Sequence, residues 1–285
     1  MRGFLHKQTS SSKEVVSKLM LTVVLGALSL TMVLPFIWML STSLKGQAEV
    51  FVFPVKWIPS VFRWDNYKSV WMGSNPFWLY YLNSIKVTIL TVAGTVVISS
   101  AAAYGFSRIV FKGRDTIFML YLATLMIPDQ VTLIPRFILF KYLGMYNSHL
   151  ALIVPGVFVV FAVFLLRQFY ITIPHEFSEA ARIEGAGHFL IWTKIVMPLS
   201  KPALVSLVIL NVTSNWNEFI NPLVFLSDNK LYTVPLGLTN YIDEMGTDYT
   251  LMMAASVSAV LPIILIFILA QRWFVEGVVS SGIKG

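Results

Sequence analysis

An all-α integral membrane protein with six transmembrane helices is the fold class predicted by this sequence, on three observations. Of 285 residues, 56% are hydrophobic and only 12% are charged, about half the charged share of a soluble domain. The mean hydropathy of +0.74 belongs to the whole chain rather than to a single anchor. Four uncharged apolar runs and two interrupted ones are each long enough to cross a hydrocarbon core of about 30 Å. Six such spans with their loops fill the length.

The first run, 19–40, follows the basic residues Arg2, Lys7, Lys13 and Lys18. It is longer than the apolar core of a signal peptide and lacks a small-x-small cleavage site, so it is expected to stay as a helix. Further runs at 87–107, 149–166 and 249–271 contain no Lys, Arg, Asp or Glu. Residues 116–140 are interrupted by Pro128, Asp129, Pro135 and Arg136. Residues 203–226 are interrupted by Asn211, Asn215, Asn217, Glu218 and Pro222. Charge at bilayer depth is costly, so these two helices are expected to face protein or an aqueous cavity.

An even number of spans puts both termini in the cytoplasm, and the basic residues agree. Arg2, Lys7, Lys13, Lys18, Arg108, Lys112, Arg114, Arg167, Arg182, Lys194, Lys201, Arg272 and Lys284 would lie inside. Lys45, Lys56, Arg63, Lys68, Lys141 and Lys230 would lie outside. The formal charge of +7 is therefore read as the positive-inside bias rather than as an affinity for nucleic acid. The expected organisation is a cytoplasmic segment 1–18, a membrane domain 19–275 and a cytoplasmic tail 276–285.

The first outer loop, 41–82, is rich in aromatics, among them Trp57, Trp64, Trp71, Phe77, Trp78, Tyr80 and Tyr81. Pro59, Gly73 and Pro76 argue against one continuous helix there, so an interfacial aromatic belt is expected. The chain has no cysteine, which excludes thiolate metal sites, cysteine nucleophiles and disulfides. Its histidines, His6, His149, His175 and His188, lack ligand spacing. No phosphate loop, dinucleotide fingerprint or nucleophile elbow is present. The sequon Asn211-Val212-Thr213 falls inside a predicted helix and is discarded.

Between the fourth and fifth spans lies a cytoplasmic loop, 171–201, longer than most helix connections. Pro174 suits a helix start and Gly185 a helix end. The short helix between them is expected to expose the small Ala180 and Ala181, which would let another surface approach. The segment Glu179-Ala180-Ala181, then Gly185, Ile195 and Met197-Pro198, resembles the EAA motif of binding-protein-dependent ABC importer permeases. The family pattern ends in Leu-Pro, so Met197 is a departure of similar volume.

The resemblance extends along nearly the whole chain to the MalG-like carbohydrate permeases. It includes PFIWMLSTSLK at 35–45, AAAYGFSRIVFKGRD at 101–115, LMIPDQVTLIPRFILFKYLGMYNSHLALIVP at 125–155, NWNEFINPLVFL at 215–226 and GVVSSGIKG at 277–285. It implies a type I ABC importer permease fold in a prokaryotic inner membrane, paired with a MalF-like second permease. It also implies two ATPase subunits, which bind ATP and Mg, and an extracytoplasmic solute-binding protein. This chain would then be non-catalytic and hold no cofactor of its own. Glu179, Ala180, Ala181, Gly185, Ile195 and Pro198 would couple it to the ATPase, and the cargo would be a sugar, an oligosaccharide or a related polyol.

In the fifth span Asn211, Ser214, Asn215, Glu218 and Asn221 share an arc of about 120° on a helical wheel. Two readings stand for this face: a lining of the translocation path, or hydrogen bonding to the partner permease. Asp129 and Arg136 are seven residues apart and suit an ion pair, a lining role or a place near the outer mouth. A stand-alone secondary transporter or channel is the rival class. It predicts internal repeats between the halves, which are not seen, and leaves the EAA-like loop unexplained.

Overall fold

The computed structural model describes residues 12–243 and 246–282, with side chains described for 16–242 and 247–269. Arg2, His6, Lys7, Glu244 and Lys284 lie outside the described residues, as does most of the segment 1–18. Of the expected tail, 276–282 continues the last helix and 283–285 lies outside. The architecture is all-α. Among the described residues the only paired strands are the two-residue β1 (Ile242–Asp243) and β2 (Gly246–Thr247).

Four helical stretches are long and apolar enough to span a membrane unaided: Val16–Ser43, Phe77–Arg108, Leu150–Thr172 and Tyr249–Leu269. Two more spans are bent pairs. Helix α1 (Ser12–Ser43) exposes every residue from Val16 to Phe36 and lies along the last helix. After the short α2 (Asp65–Met72), α3 (Phe77–Arg108) forms the centre of the molecule.

The third span departs from an unbroken helix. Helix α4 (Arg114–Ala123), extended by a 3₁₀ turn to Met126, meets α5 (Asp129–Tyr142) at a 94° bend. Pro128 explains the break, because it forces the preceding Ile127 out of helical geometry, to ψ 114°. Pro135 is carried inside α5 without a break. The fourth span is likewise split, into α6 (Leu150–Gly156) and α7 (Val160–Thr172), with Val159 extended.

The loop that follows holds α8 (Glu176–Ile183) and α9 (His188–Ile191), which runs through a π turn at Trp192–Val196 into α10 (Met197–Leu199). An 80° bend then leads into α11 (Lys201–Trp216). The expected fifth span of 203–226 breaks at Asn217, and α12 (Ile220–Phe225) follows. The short α13 (Val234–Gly237) precedes α14 (Tyr249–Gly282).

α3 packs on α6, α7, α11 and α13. Small residues make its closest approach possible. A Cβ at Gly94 would come within 2.4 Å of Val157 Cγ1, and one at Gly156 within 2.7 Å of Thr91 Cγ2. One end of the bundle is closed by Tyr104, Phe118, Leu166, Tyr170, Ile191 and Val196. Elsewhere Val70, Phe77, Tyr80, Trp216, Val234 and Ala254 form a second cluster. That cluster corrects the aromatic-belt expectation. Phe77 and Tyr80 are buried with ring centroids 6.0 Å apart, and Trp71 sits 5.0 Å from Tyr81. Phe53, Trp57, Trp64 and Trp78 remain exposed.

Candidate functional site

A cavity of about 220 Å³ opens between α3, α5, α6, α11 and α12. Asn211, Ser214, Asn215, Glu218 and Asn221 all line it, together with Asp129 and Arg136. The residues expected on one helical face are therefore brought together, although the helix stops among them. The stop builds part of the site. Glu218 lies in the break, and its Oε1 accepts the backbone N–H of Asn221 at 3.0 Å, capping the start of α12.

The two amides on α11 are held by the helix itself. Asn211 Nδ2 donates to the carbonyl of Leu207 at 3.1 Å, and Asn215 Nδ2 to that of Asn211 at 2.9 Å. Their amide oxygens are left without protein donors among the described hydrogen bonds. Arg136 Nη1 and Nη2 face the two Asp129 oxygens at 3.3 Å each. Nη2 also donates to Asn221 Oδ1 at 2.6 Å, which ties α5 to α12. Asp129 and Arg136 therefore form an ion pair that also lines the cavity.

Two hydroxyls there escaped the sequence reading. Thr233 lines the cavity, and Thr91 packs beside Gly156; both Oγ1 atoms are buried without a partner among the described residues. Thr91, Thr95 and Ser99, each fully buried, follow one another at four-residue spacing on α3. That polar stripe was the available signal for Thr91; it does not reach Thr233. It is hidden in a run scanned only for charge.

At the α3–α7 end of the bundle, α8 has two unlike faces. Ser178 and Ala181 are buried, whereas Glu176, Glu179, Ala180 and Ile183 are exposed. The expectation that Ala181 faces outward is thus corrected. It sits in the cluster of Tyr104, Tyr170, Ile191 and Val196, which the apolar pull of that core accounts for. Ile195 packs against the same cluster, and Pro198 is exposed. Pro198 lies within the first two positions of α10, where a missing backbone N–H is harmless.

Gly185 ends α8 in the left-handed region, at φ +86°. Its N–H reaches Arg182 O and that of Ala186 reaches Ala181 O, each at 2.9 Å. These are the two bonds of a Schellman closure. Arg108 anchors the approach to α8. Its Nη2 donates to Tyr170 O at 2.6 Å and Ile173 O at 2.5 Å, satisfying carbonyls at the end of α7. His175 Nδ1 lies 3.4 Å from Arg108 Nη1, and His188 Nδ1 lies 3.0 Å from Tyr104 Oη. Both histidines thus brace the loop, and among the described residues no group of His, Asp and Glu has the makings of a metal site.

Residues 94–280 match the model of a family described as binding-protein-dependent transport system inner membrane component. The chain belongs to this family. The permease is 36% identical over 254 residues to the probable ABC transporter permease protein YurM of Bacillus subtilis (strain 168), covering 88% of this chain and 83% of that protein. It is 33% identical over 272 residues to the arabinooligosaccharides transport system permease protein AraQ of the same organism, covering 95% and 97%. It is 34% identical over 253 residues to the sn-glycerol-3-phosphate transport system permease protein UgpE of Pectobacterium atrosepticum, covering 86% and 90%.

A chain in the crystal structure of a bacterial ABC transporter involved in the import of the acidic polysaccharide alginate has the same fold. The TM-score is 0.84 at 24% identity, covering 94% of this chain and 100% of that one. The permease is therefore an inner-membrane component of a binding-protein-dependent ABC importer, and the stand-alone transporter or channel is set aside.

Proposed function

We propose that this permease forms half of the translocation path for a sugar, oligosaccharide or related polyol, with a MalF-like permease supplying the other half. Two partner ATPase subunits bind ATP and Mg and do the hydrolysis, and an extracytoplasmic binding protein delivers the cargo. Both termini of the membrane domain 19–275 face the cytoplasm, which places α8 on the ATPase side. The observation that carries this reading is the outward face of α8. Ile183 is 89% exposed beside exposed Ala180 and Glu179, on a helix whose other face is locked into the core of the bundle.

A fixed helix that presents the small Ala180 and the apolar Phe177 and Ile183 beside exposed Glu176 and Glu179 suits close docking into a cleft of another chain. Glu179, Ala180 and Gly185 would meet the ATPase there. Ala181, Ile195 and Pro198 would transmit its movement to α7 and α11. Nucleotide closes the ATPase pair, α8 moves with it, and the bent spans re-aim the cavity between the two sides. Asn211, Ser214, Asn215, Glu218 and Asn221 supply hydrogen-bonding groups that replace a sugar's water, and AraQ, named for arabinooligosaccharides, supports that cargo class.

The test is transport by the assembled complex with Glu218→Gln and Asn215→Ala. Both should assemble with the partner permease and change uptake or substrate preference. Variants that fail to assemble, while every complex that does form transports normally, would show the face to be structural. Purified wild-type permease should also bring down an ATPase.

A further inference from the structure

We propose that Asp129 sets the charge selectivity of this half of the path by neutralising Arg136, so that uncharged polyhydroxylated chains enter and acidic ones are turned away. The inference rests on the reading of the cavity as the translocation path. It adds the choice among cargoes that similarity leaves open, since relatives are named for arabinooligosaccharides and for sn-glycerol-3-phosphate.

The charge inventory of the cavity makes the choice. Arg136 is the single cation among its described lining residues, facing two carboxylates, Asp129 and Glu218. Both terminal nitrogens of its guanidinium are already committed, while Nε is buried without a partner among the described residues. Asp129 takes both Nη atoms at 3.3 Å, Asn221 takes Nη2 at 2.6 Å, and the Phe225 ring lies 5.4 Å from its central carbon. Glu218 has no such cation among the described residues, and its Oε1 is held by a backbone N–H at 3.0 Å.

The amide oxygens of Asn211 and Asn215 add acceptors, because their nitrogens donate back into α11. A wall of acceptors recognises donors, which a sugar's hydroxyls are. A carboxylate or phosphate would bring more acceptors and a like charge against Glu218 and Asp129.

The pair is lopsided in a way that makes Asp129 the selector. Its side chain is 62% exposed, against 18% for Arg136. Removing the outer carboxylate would uncover a guanidinium held in place from behind by Asn221 and Phe225. A fixed guanidinium with a free edge is suited to a bidentate carboxylate.

The experiment measures equilibrium binding of radiolabelled arabinotriose and trigalacturonate to the assembled importer in nanodiscs. The binding protein is omitted, so that its own preference plays no part. Wild type should favour the neutral trisaccharide. Asp129→Asn, with Asp129→Ser as a second variant in case one fails to assemble, should move the affinity ratio toward the acid by about tenfold. The double variant Asp129→Asn/Arg136→Gln should lose that shift.

An unmoved ratio in both Asp129 variants, or a shift that survives without Arg136, overturns the proposal alone. A wild-type complex that binds neither trisaccharide overturns the reading of the cavity as a sugar path, and this proposal with it.

Discussion

Gly185 offers the sharpest separation between a residue that shapes the coupling loop and one that meets another chain. At φ +86° an L-residue is strained by about 1–2 kcal/mol, which is about 5–30-fold in a local folding equilibrium. Packing against the rest of the chain adds nothing, because among the described residues no atom beyond Gly185 and its two neighbours lies within 4 Å of a Cβ built there. Gly185→Asn should therefore be nearly silent, since asparagine tolerates the left-handed region, and Gly185→Ala should show the backbone cost alone.

Gly185→Asp should cost less than alanine in the isolated permease, since aspartate also tolerates the left-handed region, but do more harm in the complex, where its charge would enter the ATPase contact unpaired at a cost of several kcal/mol. Two readouts separate the effects. Hydrogen exchange at the amides of Gly185 and Ala186 reports the Schellman closure, while ATPase retention and its stimulation by loaded binding protein report the contact. Aspartate no worse than alanine in ATPase retention and stimulation would remove Gly185 from the interface. Alanine without effect on exchange would refute the strain argument.

Ala181→Asp should destabilise the permease even without partners, by several kcal/mol, because it buries a carboxylate among Tyr104, Tyr170 and Ile191; Ala180→Asp should leave the thermal midpoint unchanged and detach the ATPase. Burial pushes the pKa of His149 below its usual 6.5, with Nε2 donating to Leu231 O at 2.9 Å. The unfolded chain then takes up the proton first, so this stabilisation is complete above about pH 6.5 and is lost as pH falls through the folded value. Thermal midpoints in detergent between pH 7 and 5 should fall less for His149→Gln than for wild type. In this cysteine-free chain, Ser60→Cys should react with a membrane-impermeant thiol reagent on intact cells and Lys112→Cys should not; the opposite pattern would invert the topology.

The cluster at Asn211, Ser214, Asn215, Glu218 and Asn221 was legible in sequence, but for an incomplete reason. A continuous helical face was expected, whereas the helix ends at Trp216 and Glu218 caps the next one across the gap. The residues still converge because the break re-aims α12 around the same cavity. Ala181 shows the opposite outcome. Spacing placed it beside Ala180, yet a helix of eight residues has two faces, and only the neighbouring core of α3 and α7 decides which one is inside.

Length, apolar runs and the low share of charged residues, read alone, determined that this chain spans a membrane several times, because they report the solvent each segment requires. The spacing from Glu179 to Pro198 likewise pointed to the family. Only the tertiary structure decided which prolines break their helices. Pro128 marks a 94° bend and Pro135 none, since the outcome depends on what neighbours supply to the freed backbone groups. It alone decided that Asp129 and Arg136 pair while lining a cavity with Glu218, and that Thr91 and Thr233 turn unpartnered hydroxyls inward. The bond from Arg136 to Asn221 joins residues 85 apart in the chain, and no local pattern of polarity encodes which helices will meet.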